Sequence, residues 1–218
     1  AMAVSPQFEL NPSATAATAL RAADHAPRLT ALLLIEKAVL YAGETSDVWL
    51  TRARLQRRTA AATGDRTLET TALDSAVRAW AIEGARAAPN DRAVAEISLL
   101  LADLHEASRQ LDDAVAVLDQ GLARSSHSLQ VGLTLRRAQL LAIAPGIDVG
   151  SLLAGLTGRL EALVHEAQVN RRPERVGSKI RDTLERVRAL RGEGAATVAA
   201  RLGELARDEA LMIALNPQ

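Results

Sequence analysis

The sequence predicts an all-α protein, and three observations carry that prediction. The 44 Ala and 34 Leu, the strongest helix formers, make up more than a third of the 218 residues. Aromatic residues are only 2% of the chain and β-branched residues are few, so little is available to fill a sheet. Apolar residues recur at helical spacing between breaks of Gly, Pro, Asn and Asp. A mean hydropathy of +0.03 leaves too much apolar side chain for wholesale disorder. Zero Cys excludes disulfide scaffolds, thiol catalysis and Cys-type zinc sites.

Each element follows from its punctuation. Residues 1–11, with Pro6 and no periodicity, read as a loose lead that runs up to Pro12. Helices are expected at 13–24 and at 28–42, the second stopped by Gly43. A third, 47–62, ends at Gly64, and Asp65 supplies the cap of the next, 67–87. Pro89-Asn90-Asp91 then opens 91–108, which is followed by 111–124. Ser126 or Ser128 caps 129–143, and Pro145-Gly146 ends it. The remaining helices are 149–169, 174–191 after Pro173, and 195–214 after Gly192 and Gly194.

The helices arrive in pairs, which prompts a search for repeats. Ala95 to Ser128 spans 34 residues and reads as two helices with Leu101-Ala102, Leu104, Leu111, Ala114, Leu118 and Gly121-Leu122 at regular places. This unit resembles the tetratricopeptide repeat, in which small residues such as Ala102, Ala114 and Gly121 let two antiparallel helices approach closely. His105 departs from the pattern, where the family usually has an aromatic ring. Residues 12–45 form a second unit, with Ala19, Ala31, Ala38 and Ile35-Glu36-Lys37-Ala38-Val39 matching, although Thr15 and Arg21 occupy usually bulky apolar places. The block 46–94 between them pairs Trp49 with Ala53 and is 15 residues over the period. Trp49 is expected to be substantially buried.

Beyond Ser128 the register fails, because continuing the count would put Arg136 at a close-packed small-residue position. The expected organisation is therefore a flexible lead over 1–11, helix-pair repeats over 12–146 and a C-terminal cap or bundle over 147–218. What the resemblance implies is a short right-handed α-solenoid, capped because a solenoid must shield its last apolar face. An uncapped face at 12–24 would allow a second copy to stack, so a homo-oligomer stays open.

No motif supports catalysis or a cofactor. The four histidines (His25, His105, His127, His165) have no metal-ligand spacing. Ser125-Ser126-His127-Ser128 reads as helix capping, since adjacent residues at a helix junction do not face one another. Gly192-Glu193-Gly194 follows a helix rather than a strand, and Gly177-Ser178-Lys179 lacks the upstream glycine of a P-loop. The chain is expected to be a non-enzyme with no cofactor and no metal.

Net charge is zero, 26 basic against 26 acidic groups, with no global field to attract nucleic acid. The 24 Arg against two Lys, with so much Ala, fit a GC-rich, bacterial coding bias. No stretch approaches the ~18 apolar residues of a membrane helix; the longest apolar run is Ala31–Ile35. Ala1-Met2 reads as a cloning junction, which leaves open a removed leader or larger parent chain, and with it cytoplasm or periplasm as the compartment.

Two partner surfaces emerge. In the resemblance the first helix of each pair lines a concave groove. Its ligand-facing places fall on Asp47, Leu50, Arg54, Arg57 and Arg58 in one unit, and on Glu96, Leu99, Asp103, Glu106 and Ala107 in the next. Arg54, Arg57 and Arg58 would form a basic wall beside an acidic wall of Glu96, Asp103 and Glu106, suited to an extended peptide or partner helix. Alternatively the walls pair with each other, contributing ~0–1 kcal/mol per exposed pair. The second surface is the segment 171–191, locally net +5, where Arg171, Arg172, Arg175, Lys179 and Arg186 could meet nucleic acid. Against that stand the missing aromatics for base stacking, and a solvated face of i,i+4 pairs fits the same residues. The expected function is a protein-interaction scaffold or adaptor, within an export or envelope-assembly system. The alternative is a regulatory domain binding nucleic acid through 171–191.

Overall fold

Nine helices and no strand are found among the residues that the structure, a computed structural model, describes: 28–42, 45–170 and 174–215. They are α1 (Arg28–Ala42), α2 (Ser46–Thr63), α3 (Arg66–Gly84), α4 (Asp91–Ala107), α5 (Leu111–Arg124), α6 (His127–Ile143), α7 (Val149–Val169), α8 (Glu174–Arg188) and α9 (Ala195–Leu215). The protein is all-α. The helix expected over 13–24 lies outside the described residues.

Local chemistry sets the boundaries. Asp65 accepts from the backbone N–H of Thr67 at 2.9 Å to start α3, and Asn90 does the same for Arg92 and Ala93 at 3.0 and 3.1 Å to start α4. Asp148 caps α7 through Gly150 and Ser151, with a further bond from the Ser151 hydroxyl. Gly64 ends α2 at φ +72°, a left-handed conformation that glycine adopts without strain. Corrections come at three ends. Helices α3 and α8 stop three residues short of their expected limits, at Gly84 and Arg188. For α3 the reason is Pro89, which disfavours helical backbone in the residue before it. Helix α6 starts at His127 rather than 129, and the Ser126 side chain makes no cap bond. Its carbonyl instead closes the first turn by accepting from Leu129 N–H.

The backbone divides into two compact units, Ala1–Ala87 and Ala88–Gln218. The expected break after residue 146 falls inside the second unit, because α6 packs on α7 and α9 as well as on α4 and α5.

In the first unit, α2 and α3 cross closely because Ala53, Ala60, Ala72, Ala76 and Ala79 are at most 1% exposed at the contact. A polar seam runs through the same place. Ser75 of α3 donates to Gln56 Oε1 of α2 at 2.8 Å, and Arg52 reaches both Ser75 and, at 2.8 Å, Glu36 of α1. Trp49 is half-buried, with the Arg52 guanidinium 5.2 Å from its ring centroid in a cation–π pair. Fully buried Glu83 near the end of α3 accepts from the Ser46 hydroxyl at 2.5 Å and from Arg86 at 3.1 Å. The carboxylate thus sits at the positive N-terminal end of α2, whose N-cap Thr45 makes no side-chain cap bond. Helix α1 seals the unit through Ala31, Ile35 and Ala38 against Val48 and Leu55.

In the second unit, Ala95 and Ala102 of α4 meet Ala114 and Leu118 of α5, with Leu133 and Leu140 entering from α6. Gly121 sits where α5 presses on α4, and an added Cβ there would stand 2.8 Å from Ser98 Cβ. The opposite face of α6, with Val131, Leu135, Ala138 and Ala142, joins a larger core. Leu153, Leu156, Leu160 and Leu163 of α7 enter it, as do Ile180, Leu184 and Val187 of α8 and Val198, Leu202 and Leu205 of α9. Gly203 of α9 lies against α6 so closely that a Cβ would stand 2.7 Å from the Gln139 amide nitrogen.

Ala102 and Ala114 are both fully buried. Ala102→Leu and Ala114→Leu should each destabilise by roughly 1–3 kcal/mol through overpacking, read as a lowered Tm. The pH dependence of α7's cap is a second check. The bonds from the Ser151 hydroxyl, then from the Ser151 and Gly150 backbone, lower the Asp148 pKa. Its stabilisation is therefore complete above the usual aspartate pKa of ~3.9 and is lost as pH falls through the lower folded value. Asp148→Asn, which caps without titrating, should flatten the fall of Tm with acid below about pH 4.

Candidate functional site

The acidic stripe stands on α4, begun by the Asn90 cap and held against α5 by its alanines. Each of its carboxylates is fixed. Glu96 accepts from Arg92 Nε one turn earlier at 2.8 Å. Asp103 and Glu106 converge on a single guanidinium, Arg136 of α6, at 2.7 and 2.5 Å from Nη2. Arg136 Nη1 donates to Gln139 Oε1, the side chain that Gly203 makes room for. The side chains of Asp103 and Glu106 remain 28% and 33% exposed, whereas that of Arg136 is only 10% exposed. Leu99, on the same stripe, packs against the α4–α5–α6 core.

The position that the repeat count denied to Arg136 thus holds a buried guanidinium. Burying that charge alone would be costly, and two carboxylates from the neighbouring helix offset the loss of water. Sequence reasoning missed this residue. Its one signal was a lone charge on the apolar period of Val131–Ile143, which no local rule connects to residues thirty positions earlier.

The basic stripe of Arg54, Arg57 and Arg58 stands on α2 in the first unit. Arg54 and Arg58 are exposed, Arg57 is half-buried, and Leu50 on the same stripe is buried. In the Arg-rich segment, Arg171 and Arg172 lie outside the described residues, as does the side chain of Arg175. Lys179 is half-buried. Arg186 pairs with Asp208 of α9 at 3.3 Å, and Arg188 pairs with Glu161 of α7 at 2.5 Å and Glu185 at 2.6 Å. The bonds from Glu161 and then Glu185 raise the Arg188 pKa above its already high ordinary value. Much of the positive charge on α8 is met by acids of adjacent helices.

Among the described residues no group of three His, Asp or Glu side chains is placed to hold a metal. Among them, too, no helix is long and apolar enough to cross a membrane. Comparison of the chain with models of protein families, with curated proteins and with solved structures gave no match.

Arg136→Met should destabilise the fold by about 1–3 kcal/mol, because it strips the counter-charge from two partly buried carboxylates. Adding Asp103→Asn and Glu106→Gln should recover most of that loss. A urea-unfolding cycle over the three sites measures the coupling.

Proposed function

We propose that this chain is a non-catalytic protein-interaction module, a tetratricopeptide-like scaffold of helix pairs that forms a short α-solenoid and takes a partner peptide or helix on its charged faces. The observation that carries the reading is the stripe of α4. Glu96, Asp103 and Glu106 are immobilised by arginines yet keep part of their surface in water. Carboxylates already held in one rotamer lose little further entropy on binding, so a basic partner helix gains affinity from them. The buried small residues Ala102, Ala114 and Gly121 support the helix-pair resemblance. Arg54, Arg57 and Arg58 supply a second face of opposite sign.

The test is affinity capture from native lysate with the wild-type chain, Glu96→Lys, and Arg54/Arg57/Arg58→Glu, each checked for helicity. A protein retained by wild type and released by either variant is the expected result. Retention unchanged by both, or recovery of nucleic acid alone, would overturn the proposal and move function to the Arg-rich helix α8.

A further inference from the structure

A cavity of about 410 Å³ lies between α5, α6 and α7, within the size range of small-molecule sites. Leu122, Ala138, Leu152 and Leu156 give it apolar walls. Three features set it apart from a packing defect.

The first is Thr134 on α6. It lines the cavity, is only 8% exposed, and its hydroxyl oxygen has no hydrogen-bond partner. A buried hydroxyl left unpaired opposes folding, so its presence in an apolar wall calls for a partner that the fold does not supply. The second is Gly155, in the middle of α7. No atom lies within 4 Å of where its Cβ would stand, so close packing does not demand glycine here. Glycine weakens a helix interior relative to alanine. What the missing side chain does is leave the cavity open.

The third feature is charge. Arg137 and Arg159 line the cavity and are anchored from outside it. Arg137 Nε donates to Asp119 at 2.5 Å. Arg159 Nη2 donates to Gln130 Oε1, and Gln130 is itself fixed by donating to the Leu122 and Ser125 carbonyls. Two guanidinium groups against one carboxylate, Asp119, give the lining a net charge of +1. Arginine forks match carboxylate geometry.

We infer that this cavity is a binding site for a small amphipathic monocarboxylate, whose apolar tail covers the leucine walls while its carboxylate meets Arg137 and Arg159. The Thr134 hydroxyl donates to the ligand. This site is separate from the charged stripe of α4 and does not depend on what that stripe binds.

Isothermal titration of the full chain with decanoate tests it, with decanol and decylammonium as neutral and cationic comparisons. Wild type should bind one decanoate saturably and prefer it over both comparisons by at least tenfold. Gly155→Leu, which favours the helix while filling the cavity, should abolish binding. Thr134→Val, which removes the orphan hydroxyl without changing shape, should raise Tm yet weaken decanoate at least fivefold. No saturable binding by wild type, equal affinity for decanol, or undiminished binding by Gly155→Leu would each overturn the inference. So would a Thr134→Val variant that gains stability with decanoate affinity unchanged, since the hydroxyl would then be a packing defect only.

Discussion

Helix α6 has almost no side that belongs to water, and the second unit is organised by that constraint. Every residue from Gln130 to Arg136 is buried. One set of side chains, Leu133 and Leu140, turns toward α4 and α5, and another, Val131, Leu135, Ala138 and Ala142, turns toward α7, α8 and α9. An amphipathic surface helix buries one stripe; a helix buried on two sides must be matched by elements on both. The only charge in its buried stretch then dictates the composition of its neighbour. Arg136 is tolerable because Asp103 and Glu106 stand one helix away.

With so few aromatic rings, the packing is done by close approach rather than by bulk. Alanine fills the α2–α3 crossing, alanine and Gly121 the α4–α5 crossing, and Gly203 the approach of α9 to α6. Short interhelical distances bring backbones and short polar side chains together, which is why Ser75, Ser98 and Ser46 can be buried and satisfied near these contacts. The same economy leaves gaps where no large side chain reaches, and the space beside Gly155 is one of them.

What could be read from the sequence was what local chemistry decides. Asp65, Asn90 and Gly64 announce helix ends because the groups that satisfy them lie within three or four residues. Helix periodicity gave the nine described helices to within a few residues for the same reason. Ser126 misled, since a serine before a helix need not cap it when its carbonyl already closes the turn. The partners of Arg136, the burial of Glu83 and the orphan hydroxyl of Thr134 were not legible. Each depends on which helix lies alongside, and that is settled by packing across distances no window of sequence spans. The charged stripes were legible as stripes, because i, i+3 and i+7 spacing is local. That two acids of one stripe would share a buried cation was not.

The doubly faced α6 also determines where this chain can be divided. A piece ending near residue 146 would retain α6 but strip away α7 to α9, leaving Val131, Leu135, Ala138 and Ala142 against solvent. Such a surface seeks a substitute for the lost bundle, and other copies of the piece are the nearest supply. The helices after residue 146 are thus no appendage that can be trimmed without consequence. They complete the hydrophobic enclosure of a helix that begins twenty residues earlier, so the second unit gains or loses its order as one cooperative block.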